Sequence, residues 1–164
     1  MAYVGVVGPG AADQRGTTLA RDLGRGLAAR GHVVLCGGLG GVMAAVADGA
    51  RELGGVVVGL LPGTDRADGS SSLTVALPTG MGEMRNALLV RSSDVVVSVG
   101  GSWGTLSEVA LALRTGVPVV ALDGWQVRTA DGSTPDGPTV TPVTSVEDAL
   151  AAVDGIVGIP PGFA

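Results

Sequence analysis

Residues 94–113 read DVVVSVGGSWGTLSEVALAL, and this stretch decides the fold. Its apolar run, Val95 to Val99, is β-branched except at Ser98 and too short for a helix. Such a run predicts a strand buried on both faces of a parallel sheet. Gly100 and Gly101 end it, Gly104 follows, and a helix is predicted from Thr105 with apolar residues at 106, 109, 110 and 113. A strand, a glycine turn and a helix N-terminus together form an anion site. Bare glycines let a phosphate reach backbone N–H groups, and the helix dipole favours its charge.

Working outward, the same grammar repeats. Residues 3–8 predict a strand ending at Gly8-Pro9-Gly10, followed by a helix over about 17–30 with Leu19, Leu23 and Leu27 on one stripe. Residues 32–36 predict a second strand, running into Gly37-Gly38-Leu39-Gly40-Gly41 and a helix to about 53. Strands follow at 56–61 and about 74–77, separated by a polar loop at 63–72. A helix from about 82 carries Arg85, Asn86, Leu88, Leu89 and Arg91. Beyond the central stretch come a strand at 118–122, a turn-rich segment at 123–142 read as a hairpin or flap, and a helix over 144–153. The tail with Pro160-Pro161 predicts no regular structure.

Strands alternating with helices imply an α/β fold: a Rossmann-like doubly wound parallel sheet in three α/β/α layers, one domain over 1–164. Ligands of such sheets sit at the carboxyl ends of the strands, at the switch in strand order. The glycine-rich ends at 8–10, 37–41 and 100–104 are expected along that edge.

Composition narrows the chemistry. Apolar residues make up 46% and aromatics only 2%, so Val, Leu and Ala must fill the core. The chain contains no lysine; all ten positive charges are arginine. That excludes a Schiff-base lysine, hence ordinary pyridoxal-phosphate chemistry, and a Walker A lysine. With one cysteine and one histidine, no closed zinc site can be assembled from N/S ligands of one chain, and no metal site is expected. A net charge of −5 without a basic run argues against a broad nucleic-acid surface. No run reaches membrane-spanning length, and a cytoplasmic location is expected.

Thr105-Leu106-Ser107-Glu108 reads equally as a helix capping box and as part of a site, and Thr144-Ser145-Val146-Glu147 reads as a capping box alone. Gly8-Pro9-Gly10 falls short of the dinucleotide fingerprint, because Asp13 stands where a third glycine belongs and no acidic residue ends the second strand. Cys36 reads as a small buried apolar residue and His32 as a strand-entry residue. Arg85, near a helix start, opposes the dipole unless an anion or carboxylate compensates.

Gly100-Gly101-Ser102-Trp103-Gly104-Thr105-Leu106-Ser107-Glu108 resembles the PGGxGTxxE signature of the Lonely Guy superfamily, often misnamed possible lysine decarboxylases. Arg85-Asn86 falls where that family has arginine followed by lysine, and residues 36–43 look like its glycine-rich turn. The resemblance covers roughly residues 3–155. It implies a dimer holding a nucleoside monophosphate over the glycine turn, with the matched arginine and glutamate acting on the base–ribose bond in phosphoribohydrolase members. Asn86 in place of lysine looks more like the branch of molybdenum cofactor carrier proteins, which bind a phosphorylated pterin.

The leading expectation is therefore a binding protein for a phosphorylated small molecule, a nucleotide or a molybdopterin-type cofactor, with no cofactor required for its own chemistry. Gly100, Gly101, Gly104 and Thr105 are expected to donate to the phosphate, with Arg85 as counter-charge. Gly8, Gly10, Gly37, Gly38, Gly40, Asn86, Ser102 and Glu108 complete the candidate set. The alternative is a nucleoside 5′-monophosphate phosphoribohydrolase with Arg85 and Glu108 as catalytic residues. The surplus apolar surface of helices 85–93 and 105–115 is expected to meet a second copy.

Overall fold

The computed structural model describes residues 1–158; the predicted unstructured tail at Pro160-Pro161 lies outside them. Seven strands form one parallel sheet in the order β4-β3-β2-β1-β5-β6-β7. They are β1 (Tyr3–Val7), β2 (Val33–Cys36), β3 (Val56–Leu61), β4 (Val75–Pro78), β5 (Val95–Val99), β6 (Val119–Leu122) and β7 (Val140–Val143). The helices are α1 (Gln14–Ala29), α2 (Val42–Glu52), α3 (Arg85–Arg91), α4 (Trp103–Arg114) and α5 (Val146–Val157). The chain builds outward from β1 to β4, then crosses back to lay β5 on the other side of β1, which puts the switch point between β1 and β5.

Strand alternation sorts the apolar residues into two cores. Val4, Val6, Val34, Val95, Val97 and Val99 pack under α1, α2 and α5 with Leu23, Leu27, Val46 and Val153. Val7, Leu60, Val96 and Val119 pack under α3 and α4 with Leu89, Val90, Val109 and Ala112. All five residues of β5 are buried, the signature of a strand covered on both faces. None of the helices among the described residues is long and apolar enough to cross a membrane.

Three local readings are corrected. The first helix starts at Gln14, not near 17, because the Asp13 side chain accepts from the Gly16 N–H and caps it. The residue that breaks the dinucleotide fingerprint is thus a helix cap. The segment 123–142 is neither hairpin nor flap throughout: its end enters β7, a parallel edge strand on β6. Pro142 is tolerated there because an edge strand need not donate on its outer side. The final helix is capped by Ser145, whose hydroxyl accepts from the Asp148 N–H, one residue on from the Thr144/Glu147 box.

Candidate functional site

The parallel strands end together, and their ends build a cleft beside the switch point. A cavity of about 290 Å³ is lined by Val6, Val7 and Gly8 of β1 and its turn, Gly37 and Leu39 of the β2–α2 connection, Met43 of α2, and Pro62 after β3. Arg85 and Asn86 from α3, and Ser102 with Gly104, Thr105 and Glu108 from the N-cap and first turns of α4, also line it, as do Gly10, Gly82 and Glu83. Of the predicted set, the cavity unites Gly8, Gly10, Gly37, Arg85, Asn86, Ser102, Gly104, Thr105 and Glu108. Gly38, Gly40, Gly100 and Gly101 do not line it. Leu39, Met43 and Pro62 were not foreseen, because nothing in their residue types distinguishes a site wall from core.

Two charged side chains lie buried in this cleft. Arg85 opens α3 and is 8% exposed, and Glu108 on α4 is 7% exposed. The Arg85 guanidinium reaches across to the end of β2, where a side-chain Cβ at Gly37 would overlap it and the Met43 sulfur. Gly37 is therefore the slot that admits the arginine. Among the described residues no ion pair or hydrogen bond satisfies this side chain, and its buried Nε has no partner. Burial lowers the Arg85 pKa, with Glu108 acting in the opposite direction. Burial likewise pushes the Glu108 carboxyl up to about 7, while Arg85 draws it down. Each charge feels the other without forming a contact pair. A buried cation lacking a hydrogen-bond partner is costly unless something else supplies acceptors.

The start of α4 differs from the capping-box expectation. Ser102, not Thr105, is the N-cap: its Oγ accepts from the Thr105 N–H at 3.2 Å and shares a 2.9 Å hydrogen bond with the Thr105 hydroxyl. Glu108 then lies beyond the capping position, so its burial serves no cap. Two of the four expected phosphate donors are also committed elsewhere, Thr105 N–H to Ser102 and Gly100 N–H to the Leu122 carbonyl. The first-turn N–H groups of Trp103 and Gly104 remain without intrahelical acceptors. Gly101 faces away from the cavity: a Cβ there would come within 2.9 Å of the Trp125 indole nitrogen. Beneath the site, Cys36 is a free, fully buried thiol, pushed up to about 11 by burial.

A larger cavity of about 680 Å³ lies on the far side of α4, against the 126–142 segment. Its charged residues, Arg114, Arg128 and Asp136, are all solvent-exposed, so it lacks the buried polar groups that fix a ligand's orientation.

The fold is that of a Rossmann-like protein, and its candidate site sits at the sheet's topological switch. Residues 1–150 match the SLOG cluster4 family, and the chain belongs to that family, within the Lonely Guy superfamily and on its molybdenum cofactor carrier-like branch. It is 33% identical to the molybdenum cofactor binding protein from the phototrophic bacterium Rippkaea orientalis, with a TM-score of 0.86 over 95% of this chain and 97% of that one. The molybdenum cofactor carrier protein from Chlamydomonas reinhardtii is 34% identical, with a TM-score of 0.85 over 96% and 98% of the two chains. A probable cytokinin riboside 5′-monophosphate phosphoribohydrolase of Oryza sativa subsp. japonica is 39% identical over 91 residues, 54% of this chain and 40% of the rice protein.

Proposed function

We propose that the protein binds and carries a phosphorylated small molecule, a nucleotide or a molybdopterin-type cofactor, in the Arg85–Glu108 cleft. The observation that carries this reading is the buried Arg85 guanidinium with its orphaned Nε, held over the Gly37 slot. A phosphate supplies both the negative charge and the acceptors that Arg85 lacks, and the first turn of α4 adds N–H donors and a favourable dipole. These residues fit the phosphate end of a molybdenum cofactor as well as that of a nucleotide. In the former case the metal chemistry belongs to the cargo, and Arg85, Ser102 and Gly104 hold its phosphate. The similarity to two proteins named for the molybdenum cofactor supports the pterin version.

Native mass spectrometry of freshly purified protein tests this. The expected spectrum shows a retained phosphorylated ligand that is absent from Arg85→Ala. Ligand-free wild-type protein that also fails to bind AMP and ribose 5-phosphate in calorimetry overturns it.

One observation favours a hydrolytic second reading. A carboxyl held at about 7 is poised for proton transfer near neutral pH, and Glu108 is such a group. Release of free adenine from AMP, abolished in Glu108→Gln, is the outcome that selects it. In either reading, the outer surface of α3 and α4, with exposed Met84 and Leu88 beside half-buried Leu111 and Leu113, suits a second copy of the chain.

A further inference from the structure

The chain has two tryptophans, and the fold brings them together beside the cleft although 21 residues separate them in sequence. Their ring centroids are 5.7 Å apart and the planes are tilted by 33°. Trp125 is anchored by several independent contacts. Its Nε1 donates to the Ser102 carbonyl at 3.0 Å, tying it to the residue that caps α4. Gly101 clears the space its indole occupies. Two residues earlier, Asp123 is the only described non-glycine residue at positive φ, +51°. Arg15 holds that strained position through Nε at 2.7 Å, and the Asp123 N–H donates to the Val143 carbonyl. The Ser102 carbonyl thus holds the ring itself, and Arg15 and Val143 hold the backbone two residues before it.

Trp103, by contrast, is 80% exposed on the first residue of α4, between Ser102 and Gly104, both of which line the cavity. Apart from the side turned to Trp125, its indole is open to solvent beside the cleft.

We propose that Trp103, backed by Trp125, is a stacking subsite for the flat heteroaromatic end of the phosphorylated ligand. This deepens the reading above and rests on it: the phosphate sits in the Arg85 cleft, and a purine or pterin ring lies on the indole at its rim. Two chemical features support that class. Stacking on an aromatic face is tolerant of ring identity, since every such base has a π face. A pre-anchored second ring beneath the first also lowers the ordering cost of the exposed one.

The experiment titrates wild type, Trp103→Ala and Trp103→Phe with AMP, neopterin 3′-monophosphate and ribose 5-phosphate. Calorimetry and quenching of the two-tryptophan fluorescence provide the readouts, with light scattering on each variant. The expected result is that a ring-bearing probe binds wild type about tenfold or more tighter than ribose 5-phosphate and quenches its fluorescence. Trp103→Ala then removes most of that advantage, about tenfold, as the loss of one stacked base does. Ribose 5-phosphate affinity stays unchanged, and Trp103→Phe keeps most of the advantage. Equal losses for ring-bearing and ringless probes overturn the proposal by making Trp103 structural. Unchanged affinities with an altered molecular mass overturn it by assigning the ring to a contact between copies, and unchanged affinities with unchanged mass overturn it outright. If wild type binds ribose 5-phosphate but favours no ring-bearing probe, the stacking subsite falls and the phosphate cleft stands. If no probe binds wild type, the cleft reading itself fails.

Discussion

The turns after β2 and β5 carry nearly the same text, GGLGG and GGSWG, and use it for opposite ends. After β2 the glycine is consumed from within: Gly37 is buried, and its missing side chain is filled by the Arg85 guanidinium and the Met43 sulfur. After β5 the first pair of glycines shapes the rim and the last stays open. Gly101 seats Trp125, and a Cβ at Gly104 would meet nothing nearer than the Ser102 Oγ at 3.8 Å. One turn therefore positions a charge, and the other leaves backbone donors beside the cleft. Glycine-rich sequence at a strand end announces close approach without saying whether protein or ligand does the approaching.

The largest effect is expected where the glycine is consumed. Gly37→Val places a side chain in the arginine's slot, so binding of AMP and ribose 5-phosphate should be lost. Overpacking should also lower stability by roughly 1–3 kcal/mol or more in urea denaturation. Normal binding by this variant would erase the distinction between the turns.

Glu108→Gln probes the cleft between them. The folded carboxyl, at about 7, lies above its ordinary 4.5, so between those values the folded state holds more protons than the unfolded one. Stability should fall as pH rises through that window, and the full penalty should persist above it. Removing the charge should leave stability unchanged near pH 4. It should raise stability by up to about 3 kcal/mol above pH 7, the equivalent of the full shift. Parallel pH–stability curves for the two proteins would show that the carboxyl is not held up by burial.

Arg85→Ala should weaken phosphate-ligand binding by roughly 1.5–3 kcal/mol, the scale of a charged hydrogen bond. Calorimetry checks this, and an unchanged Kd would remove the arginine from the site. The smallest effect belongs to the open turn. Gly104→Ala should stabilise α4 by about 0.5–1 kcal/mol, as alanine does in place of helical glycine, because no neighbour obstructs the methyl group. The same change should weaken ligand binding if the phosphate approaches that backbone. A gain in stability with no loss of affinity would turn the second turn into scaffold like the first.

The parallel sheet was legible because Val-rich runs recur between glycines, and Arg85 because an arginine opening a helix asks for an anion. Glu108 was legible only as half of an ambiguity. Ser102 and Thr105 are both good caps three residues apart, and local pattern does not choose between them; the bend that makes Ser102 extended does. Strand β7 escaped because Val140-Thr141-Pro142-Val143 has two apolar residues and a proline, and an edge strand covered on one side needs no more. The tryptophan pair escaped for a different reason. Its two members belong to segments brought side by side by the register of β5 on β6, which no short-range spacing encodes.

Cys36 gives the protein an internal clock. The thiol lies at the end of β2, directly under the turn that receives Arg85, and its proton is held tightly enough that the resting protein offers almost no nucleophile. Alkylation can proceed only during moments when the end of β2 opens. The rate of thiol capture therefore counts those openings, at a single atom and without any added label. A ligand that fastens Arg85 over Gly37 bolts that door, and slowed alkylation would register its arrival even when its identity is unknown.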